Sequence, residues 1–556
     1  MPPAHPSPAR RPALAPGRAL RGATALACAA LLAASVPAQA APGAAGAGGG
    51  AQDPAAANPA AVPALPEVTG PLPVTATSHP FGGALHQRIP QDLRRSGYVE
   101  EEFLVSGRAN VYDWPQPGPA VVRTEDAPYT TRILVRRPAD RADFSGNVVV
   151  EVLNPSNLFD LNIGWALSGP QMMRDGDVWV GITGKPVAIE ALKTFDPERY
   201  GSLSFANPLP LDDPRNCTDL QTLIRGDSKR TTENGLVWDV NSQVAAWLRS
   251  DAPSNPLRYG TPAGGRSPVE KLYAFGYSQT GGFLYTYVNA IAPLDVRRYG
   301  RHLFDGYVIG VAGGAFAGAS SINQCSPRPA ADDPRNQIRD AGVPVIHVMS
   351  QSDFLLGIAS RREDGNSPRD PFRHYEVPGM GHATPEELHY SAAPEDIVKA
   401  GRTIPAMSCA DGPRSRFPSS LVFDAALRNL DRWSRDRVAP PRGTVIDVRD
   451  AEPVADEFGN LVGGYRTPYV DVPTSTWHGR SAGGGFCFIA GHEDPFDEER
   501  LRALYPSHDA YVDAVRRDTR RLVARRYLTA EDGRAVVEQA EASGVPGSPV
   551  YHPLTP

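Results

Sequence analysis

The chain has 556 residues, enough for roughly two to four average domains or for one heavily decorated one. Its 56 basic residues against 62 acidic ones give a net charge of -6, which leaves no basic footprint for nucleic acid. Proline (56) and glycine (53) predict long structured loops, while apolar segments recurring from residue 100 onward exclude disorder throughout.

Arg10, Arg11, Arg18 and Arg21 precede an apolar stretch, ATALACAALLAAS at 23–35, and Ala38-Gln39-Ala40 supplies a small-x-small cleavage site. Residues 1–40 therefore read as an export signal, and the mature chain as secreted or periplasmic. The apolar run is too short to span a bilayer. Residues 41–75 are dominated by Ala, Pro and Gly and read as a disordered tether ahead of a domain at 76–556. The mature chain keeps Cys217, Cys325, Cys409 and Cys487. An even number in an exported chain predicts two disulfides, with three connectivities open. Sequence order alone favours Cys217 with Cys325 and Cys409 with Cys487. No Cys-x-x-Cys or His-x-x-x-His spacing occurs, which argues against zinc.

In chain order, 98–105 and 131–135 read as early strands. VVVEVL at 148–153 reads as a buried strand followed by Asn154-Pro155-Ser156-Asn157. A helical segment with Trp165 and Met172 leads to a strand at 178–182. Strands alternating with helices imply a parallel sheet with right-handed crossovers. The alternation stops at 185–233, which is read as a cap-like insertion. Its Phe195, Tyr200 and Phe205 would either face an apolar acyl or aryl group or pack the cap. A helix follows from 234, with Val237, Val240, Val244 and Trp247 on one face. Further strands are expected at 304–311, 343–349 and 372–377. A helix at 418–433 carries Phe423, Ala426, Leu430 and Trp433 at core spacing. A C-terminal extension, 438–556, holds two more helices near 507–526 and 530–543, the second N-capped by Thr529. It is expected to pack on the main domain without a function of its own.

The chemistry centres on KLYAFGYSQTGGFLYTY at 271–287. A strand, a glycine-flanked turn with Ser278 at its apex and a helix make the pattern of a nucleophile elbow, with Thr280 in the second small position of G-x-S-x-G. A serine nucleophile needs a His base and an acid to orient it, in the order Ser, acid, His, each after a strand end at one rim of the sheet. Asp353, four residues beyond the strand at 343–349, meets that rule, whereas Asp305 and Asp370 lie at strand starts and Glu376 within one. His382 follows the last strand through Pro378-Gly379-Met380-Gly381. His347 and His374 fall inside strands, and His389 is the runner-up. One oxyanion donor is expected from the amide of Gln279, the second from Ser156 or Asn157; Pro155 has no N–H to give. Tyr277 and Asn154 are candidate substrate contacts.

With these residues in view, the chain resembles the large bacterial family known only as alpha/beta hydrolase domain-containing proteins, which carry a Gly-x-Ser-Gln-Ser/Thr-Gly elbow. The resemblance runs from about Gly97 over most of the chain. It includes TRILVRRPAD at Thr131, VVVEVLNPSN at Val148, GYSQTGG at Gly276 and YEVPGMGHA around His382. GGYRTPYVDVPTSTW at Gly463, CFIAGHEDPF at Cys487 and LYPSHDAYVDAV at Leu504 continue it. Gln351 departs from the pattern, standing where many relatives have an acidic residue. The resemblance implies an α/β-hydrolase fold, a mostly parallel sheet flanked by helices, acting on carboxylic esters with Ser278, Asp353 and His382 at the motif positions. It also implies that the C-terminal extension belongs to one domain. The reading is an exported serine esterase with no cofactor, no metal and a small-molecule ester as partner, its oligomeric state open. Acyl transfer by the same intermediate, or an inactive scaffold that binds a ligand, are the alternatives. Cutinases share Gly-Tyr-Ser-Gln but are much shorter, a local overlap.

Overall fold

A computed structural model describes residues 62–217, 230–260, 265–313, 318–357 and 361–547. The expected export signal, and the tether up to residue 61, lie outside them. Among the described residues the strands of the main sheet are β1 (Glu67–Thr69), β2 (Tyr98–Asp113), β3 (Val121–Pro138), β4 (Asn147–Val152), β5 (Val178–Ile182), β6 (Lys271–Tyr277), β7 (Gly306–Gly310), β8 (Val345–Ser350), β9 (Gly365–Ser367) and β10 (Asp370–Val377). They stand in the order β1-β2-β3-β5-β4-β6-β7-β8-β10-β9. From β5 to β10 the neighbours are parallel. At the two edges β1, β2, β3 and β9 add antiparallel pairs.

Every residue of β4, β5, β7 and β8 is buried, which is why these strands read as continuous apolar runs: a parallel sheet is covered on both faces. The covering helices include α1 (Ile163–Asp175), α2 (Pro186–Phe195), α3 (Val237–Leu248), α4 (Gln279–Thr286), α5 (Ser420–Asp436), α6 (His508–Ala524) and α7 (Ala530–Ala542). The start of α1 is docked on β4 through Glu151, whose carboxyl accepts the amide of Gly164 at 2.7 Å and the indole N–H of Trp179 at 2.9 Å. Burial pushes this carboxyl up to about 7 despite those donors. On α5, Phe423 packs its ring against Phe275 and Tyr277 of β6, so the helix read from core spacing supports the elbow strand directly. Thr529 caps α7 by accepting the amide of Asp532 at 3.1 Å.

Three expectations change. Glu67–Thr69 falls within the stretch read as a tether, yet it pairs with Leu104–Ser106 as an edge strand; backbone ladder bonds replace the missing apolar side chains. The early strands are far longer than 98–105 and 131–135, because their extension alternates polar residues that a hydrophobic count passes over. Asp239 on α3 anchors that extension, accepting from the amide of Asn110 at 2.8 Å and the hydroxyl of Tyr112 at 2.5 Å. The third change concerns the insertion at 185–233. Its Phe195, Tyr200 and Phe205 are buried in the core: Phe195 packs edge-on against Phe81, Tyr200 donates to Glu102 at 2.7 Å, and Phe205 meets Tyr129. They are packing residues of the β2–β3 side.

Both expected disulfides form, Cys217–Cys325 and Cys409–Cys487, with Cα atoms 5.5 and 5.6 Å apart. The second ties the C-terminal extension to the loop that precedes α5. Among the described residues no helix is long and apolar enough to cross a membrane.

Candidate active site

β6 ends at Tyr277, and Ser278 turns the chain into α4 with φ 57° and ψ −118°. A side chain in that region of backbone space costs about 1–3 kcal/mol, so the surroundings must hold it there. The amide of Ser278 donates to Gly310 at 2.9 Å, and its carbonyl accepts from Gly282 at 2.9 Å. Thr280 does more than stay small: its hydroxyl accepts the amide of Tyr277 at 3.1 Å and donates to the carbonyl of Tyr277 at 3.0 Å. Asn154 Nδ2 donates to the same carbonyl at 2.8 Å. A Cβ on Gly276 would stand 2.4 Å from the carbonyl oxygen of Thr280, and one on Gly281 would stand 2.5 Å from Ala312 Cβ. Those two glycines permit the close approach.

Parallel β6, β8 and β10 deliver their C-terminal ends to one rim. His382 Nε2 lies 2.7 Å from Ser278 Oγ, and His382 Nδ1 lies 2.7 Å from Asp353 Oδ1. A carboxylate only accepts, so Nδ1 carries the proton and Nε2 is left to accept from the Ser278 hydroxyl. Burial by itself would depress the His382 pKa, but the charge of Asp353 and its hydrogen bond outweigh it and hold the imidazole above its ordinary 6.5. Asp353 is steadied by the Ser350 hydroxyl, which donates to Oδ2. The His382 amide donates to the carbonyl of Ile489 at 2.9 Å and to Ser352 Oγ at 3.2 Å. Gln351, the departure from the family pattern, braces the loop ahead of His382: its Oε1 accepts the amide of Gly379 at 2.7 Å, and its own amide donates to Met380 at 3.0 Å.

The rival side chains lie elsewhere. His347 and His374 face each other inside the sheet, Nδ1 to Nδ1 at 2.8 Å, and burial followed by the neighbouring His374 pushes His347 down to about 3. His389 is pushed down to about 4 by burial. Glu376 pairs with Arg361 at 2.6 Å, Asp305 with Arg249 and Asp370 with Arg362.

A small cleft opens over Ser278 and His382, and its lining includes Asn154, Ser156, Asn157, Glu387, Arg414 and Phe486. None of the described residues of the 185–233 insertion lines it. The amide of Ser156 donates to Asn154 Oδ1 at 2.8 Å, so that expected oxyanion donor is already engaged. The amide of Gln279, first residue of α4, and that of Asn157 have no protein acceptor among the described residues. Tyr277 is buried beneath the cleft and not on its wall; its hydroxyl donates to the carbonyl of His382 at 2.7 Å. Asn154 reaches the cleft, but both ends of its amide are occupied by backbone. Sequence reasoning passed over Ser350, Ser352, Glu387, Arg414, Phe486 and Ile489. Only the pairing of Cys409 with Cys487 signalled that the segments around 414 and 486 meet.

Among solved structures, the chain is similar to a putative dienelactone hydrolase from Klebsiella pneumoniae subsp. pneumoniae MGH 78578, with 14% identity over 54% of this chain and 95% of that one and a TM-score of 0.26. It is similar also to a thermostable esterase from Pseudomonas putida ECU1011, with 13% identity over 56% and 82% of the two chains and a TM-score of 0.28. The carboxylesterase Cest-2923 from Lactobacillus plantarum WCFS1 shares 11% identity over 51% and 94%, with a TM-score of 0.26. No curated protein matches. The model of the family described as "Alpha/beta hydrolase domain" matches residues 68–538, a span that holds the sheet, the Ser278 turn and the segments carrying Arg414 and Phe486, and the chain belongs to that family.

Proposed function

We propose that the protein is an exported serine hydrolase of carboxylic esters that works through an acyl-enzyme. The observation that carries this reading is the position of His382, 2.7 Å from Ser278 Oγ on one side and 2.7 Å from Asp353 on the other. Ser278 Oγ attacks the acyl carbon while His382 Nε2 takes its proton, forming a tetrahedral intermediate. The oxyanion is received by the amides of Gln279 and Asn157, each such donor being worth roughly 2.7–4 kcal/mol in the transition state. The imidazolium, stabilised by Asp353, returns the proton to the departing alcohol. Water, activated by the same imidazole, then attacks the acyl carbon and releases the acid and free Ser278. Export is supported by the leader-like 1–40 segment and by two disulfides, which persist in oxidising compartments.

The test is labelling and turnover in the full-length mature chain. A fluorophosphonate is expected to modify Ser278 alone, and 4-nitrophenyl ester hydrolysis to fall by about 10⁶ in Ser278→Ala. Activity that survives in that variant would overturn the reading.

A further inference from the structure

Two ionisable side chains face the cleft with hydrogen-bonding capacity left over. Glu387 sits in the short turn Glu386–Leu388, five residues after His382, and is 7% exposed. Its carboxyl lines the cleft and makes no hydrogen bond to a described residue. Arg414, 5% exposed, reaches the same cleft from the loop beyond Cys409. One of its Nη atoms donates to the carbonyl of Ala383 at 3.3 Å, while its Nε is buried without an acceptor. Glu387 is the charge that Arg414 feels, yet the two form no ion pair. Their charged ends stand apart in the cleft that Ser278 also lines.

The chemistry of that gap is set by desolvation. Burial pushes Glu387 up to about 8, against the pull of His382 and Arg414, so at neutral pH it carries a proton and presents an O–H. The guanidinium then remains a buried cation without that counter-charge, an unfavourable arrangement unless an anion completes it. An N–H and an O–H donor offered in one cleft match a carboxylate. An amine or a plain alkyl group would leave the guanidinium uncompensated.

We propose that Glu387 and Arg414 form a receptor for a free carboxylate on the substrate, so that the preferred esters are half-esters of dicarboxylic acids. The free acid seats between the two side chains while the ester carbonyl lies at Ser278. This rests on the hydrolase reading of Ser278. The groups that face Glu387 are His382, Arg414, Asp353 and Tyr277. When Glu387 ionises, its charge repels the substrate carboxylate, so the preference for the half-ester weakens as pH rises through about 8.

The experiment uses monomethyl glutarate and its neutral counterpart methyl pentanoate. Wild-type kcat/KM is measured for both, and calorimetry measures their binding to the Ser278→Ala chain. The half-ester is expected to be preferred in both assays. In Arg414→Met the kcat/KM ratio is expected to fall about 10- to 100-fold, the worth of a charge-assisted hydrogen bond. Because the ratio is taken within one protein, loss of folded material cancels. In Glu387→Gln, which keeps a neutral donor, the ratio is expected to stay level from pH 7 to 9 while the wild-type ratio drops; this arm decides the matter should Arg414→Met fail to fold. Equal kcat/KM for the two esters in the wild type, or a preference that survives Arg414→Met, overturns the proposal and leaves the hydrolase reading standing. Preferential binding of the half-ester by Ser278→Ala, with neither ester hydrolysed by the wild type, supports the receptor and removes the hydrolase.

Discussion

The hydroxyl of Tyr277 donates to the main-chain carbonyl of His382 at 2.7 Å, so the residue before Ser278 holds the residue whose imidazole meets the Ser278 hydroxyl. The two segments are far apart in sequence, and this bond joins the elbow to the buried Pro-Gly-Met-Gly approach to His382. Tyr277 is buried, so a lost partner is not replaced by water. Tyr277→Phe is expected to destabilise the fold by about 0.5–1.5 kcal/mol through the lost hydrogen bond. Its kcat for a 4-nitrophenyl ester should fall by roughly tenfold with KM little changed, because His382 and not the substrate loses its support. An altered KM with intact kcat would place Tyr277 on the substrate instead.

Thr280 closes the elbow by clamping both the amide and the carbonyl of Tyr277. Thr280→Val keeps the shape and removes the hydroxyl, so the Tyr277 amide loses this acceptor and the Tyr277 carbonyl keeps the Asn154 amide as donor. Thermal unfolding is expected to show a loss of about 1–3 kcal/mol, and fluorophosphonate labelling of Ser278 to slow. Thr280→Ser, which restores the hydroxyl, should recover both. Recovery by Ser but not Val identifies the hydroxyl, and not the size of the side chain, as what the turn requires.

The raised pKa of His382 sets the acid limb of the activity. Only the neutral imidazole accepts the Ser278 proton, so kcat/KM falls as pH drops through the His382 pKa, and the midpoint should lie above 6.5. Asp353→Asn removes the charge that raises it and leaves burial, which acts downward. The midpoint of the residual activity should therefore move to lower pH, while kcat drops by about 10⁴ as the wrong tautomer is favoured. A pH–rate profile on a neutral ester separates this limb from the ionisation of Glu387.

The parts of the fold legible in the sequence are those where one physical constraint dominates. VVVEV and VWVGI are apolar but for Glu151 because both faces of β4 and β5 are covered. Asp353 and His382 were reachable because a parallel sheet puts successive strand ends at one rim. Of the two amides the sequence offers as second oxyanion donor, that of Ser156 is engaged because Asn154 turns its own side chain onto the backbone two residues on, a habit of Asn that competes with any other acceptor. In the insertion at 185–233, a break in strand-helix alternation marks where a segment leaves the sheet but not where its Phe195, Tyr200 and Phe205 turn, and these three pack on the β2–β3 side. Arg414 and Phe486 had no local signature at all, since the wall they share is assembled by a cross-link between residues 78 apart.

That cross-link yields the last prediction. Cys409–Cys487 closes a long loop, and the residues just beyond Cys487 include Ile489, whose carbonyl accepts the amide of His382. Opening it releases chain entropy in the unfolded state, worth about 2–5 kcal/mol, and also frees the segment that positions His382. Cys217–Cys325 closes a longer loop, but no residue close in sequence to its cysteines lines the cleft, whereas Arg414, Phe486 and Ile489 flank the other pair. The double variant Cys409→Ser/Cys487→Ser is thus expected to lose both Tm and kcat, and to widen the spread of kcat/KM between temperatures well below Tm. Cys217→Ser/Cys325→Ser should lower Tm by a comparable amount with kcat at 25 °C within about twofold of the wild type, since it acts on the unfolded chain alone. Parallel losses of kcat in the two variants would show that the Cys409–Cys487 link has no special hold on His382, and that the C-terminal segment serves the site only by keeping the protein folded.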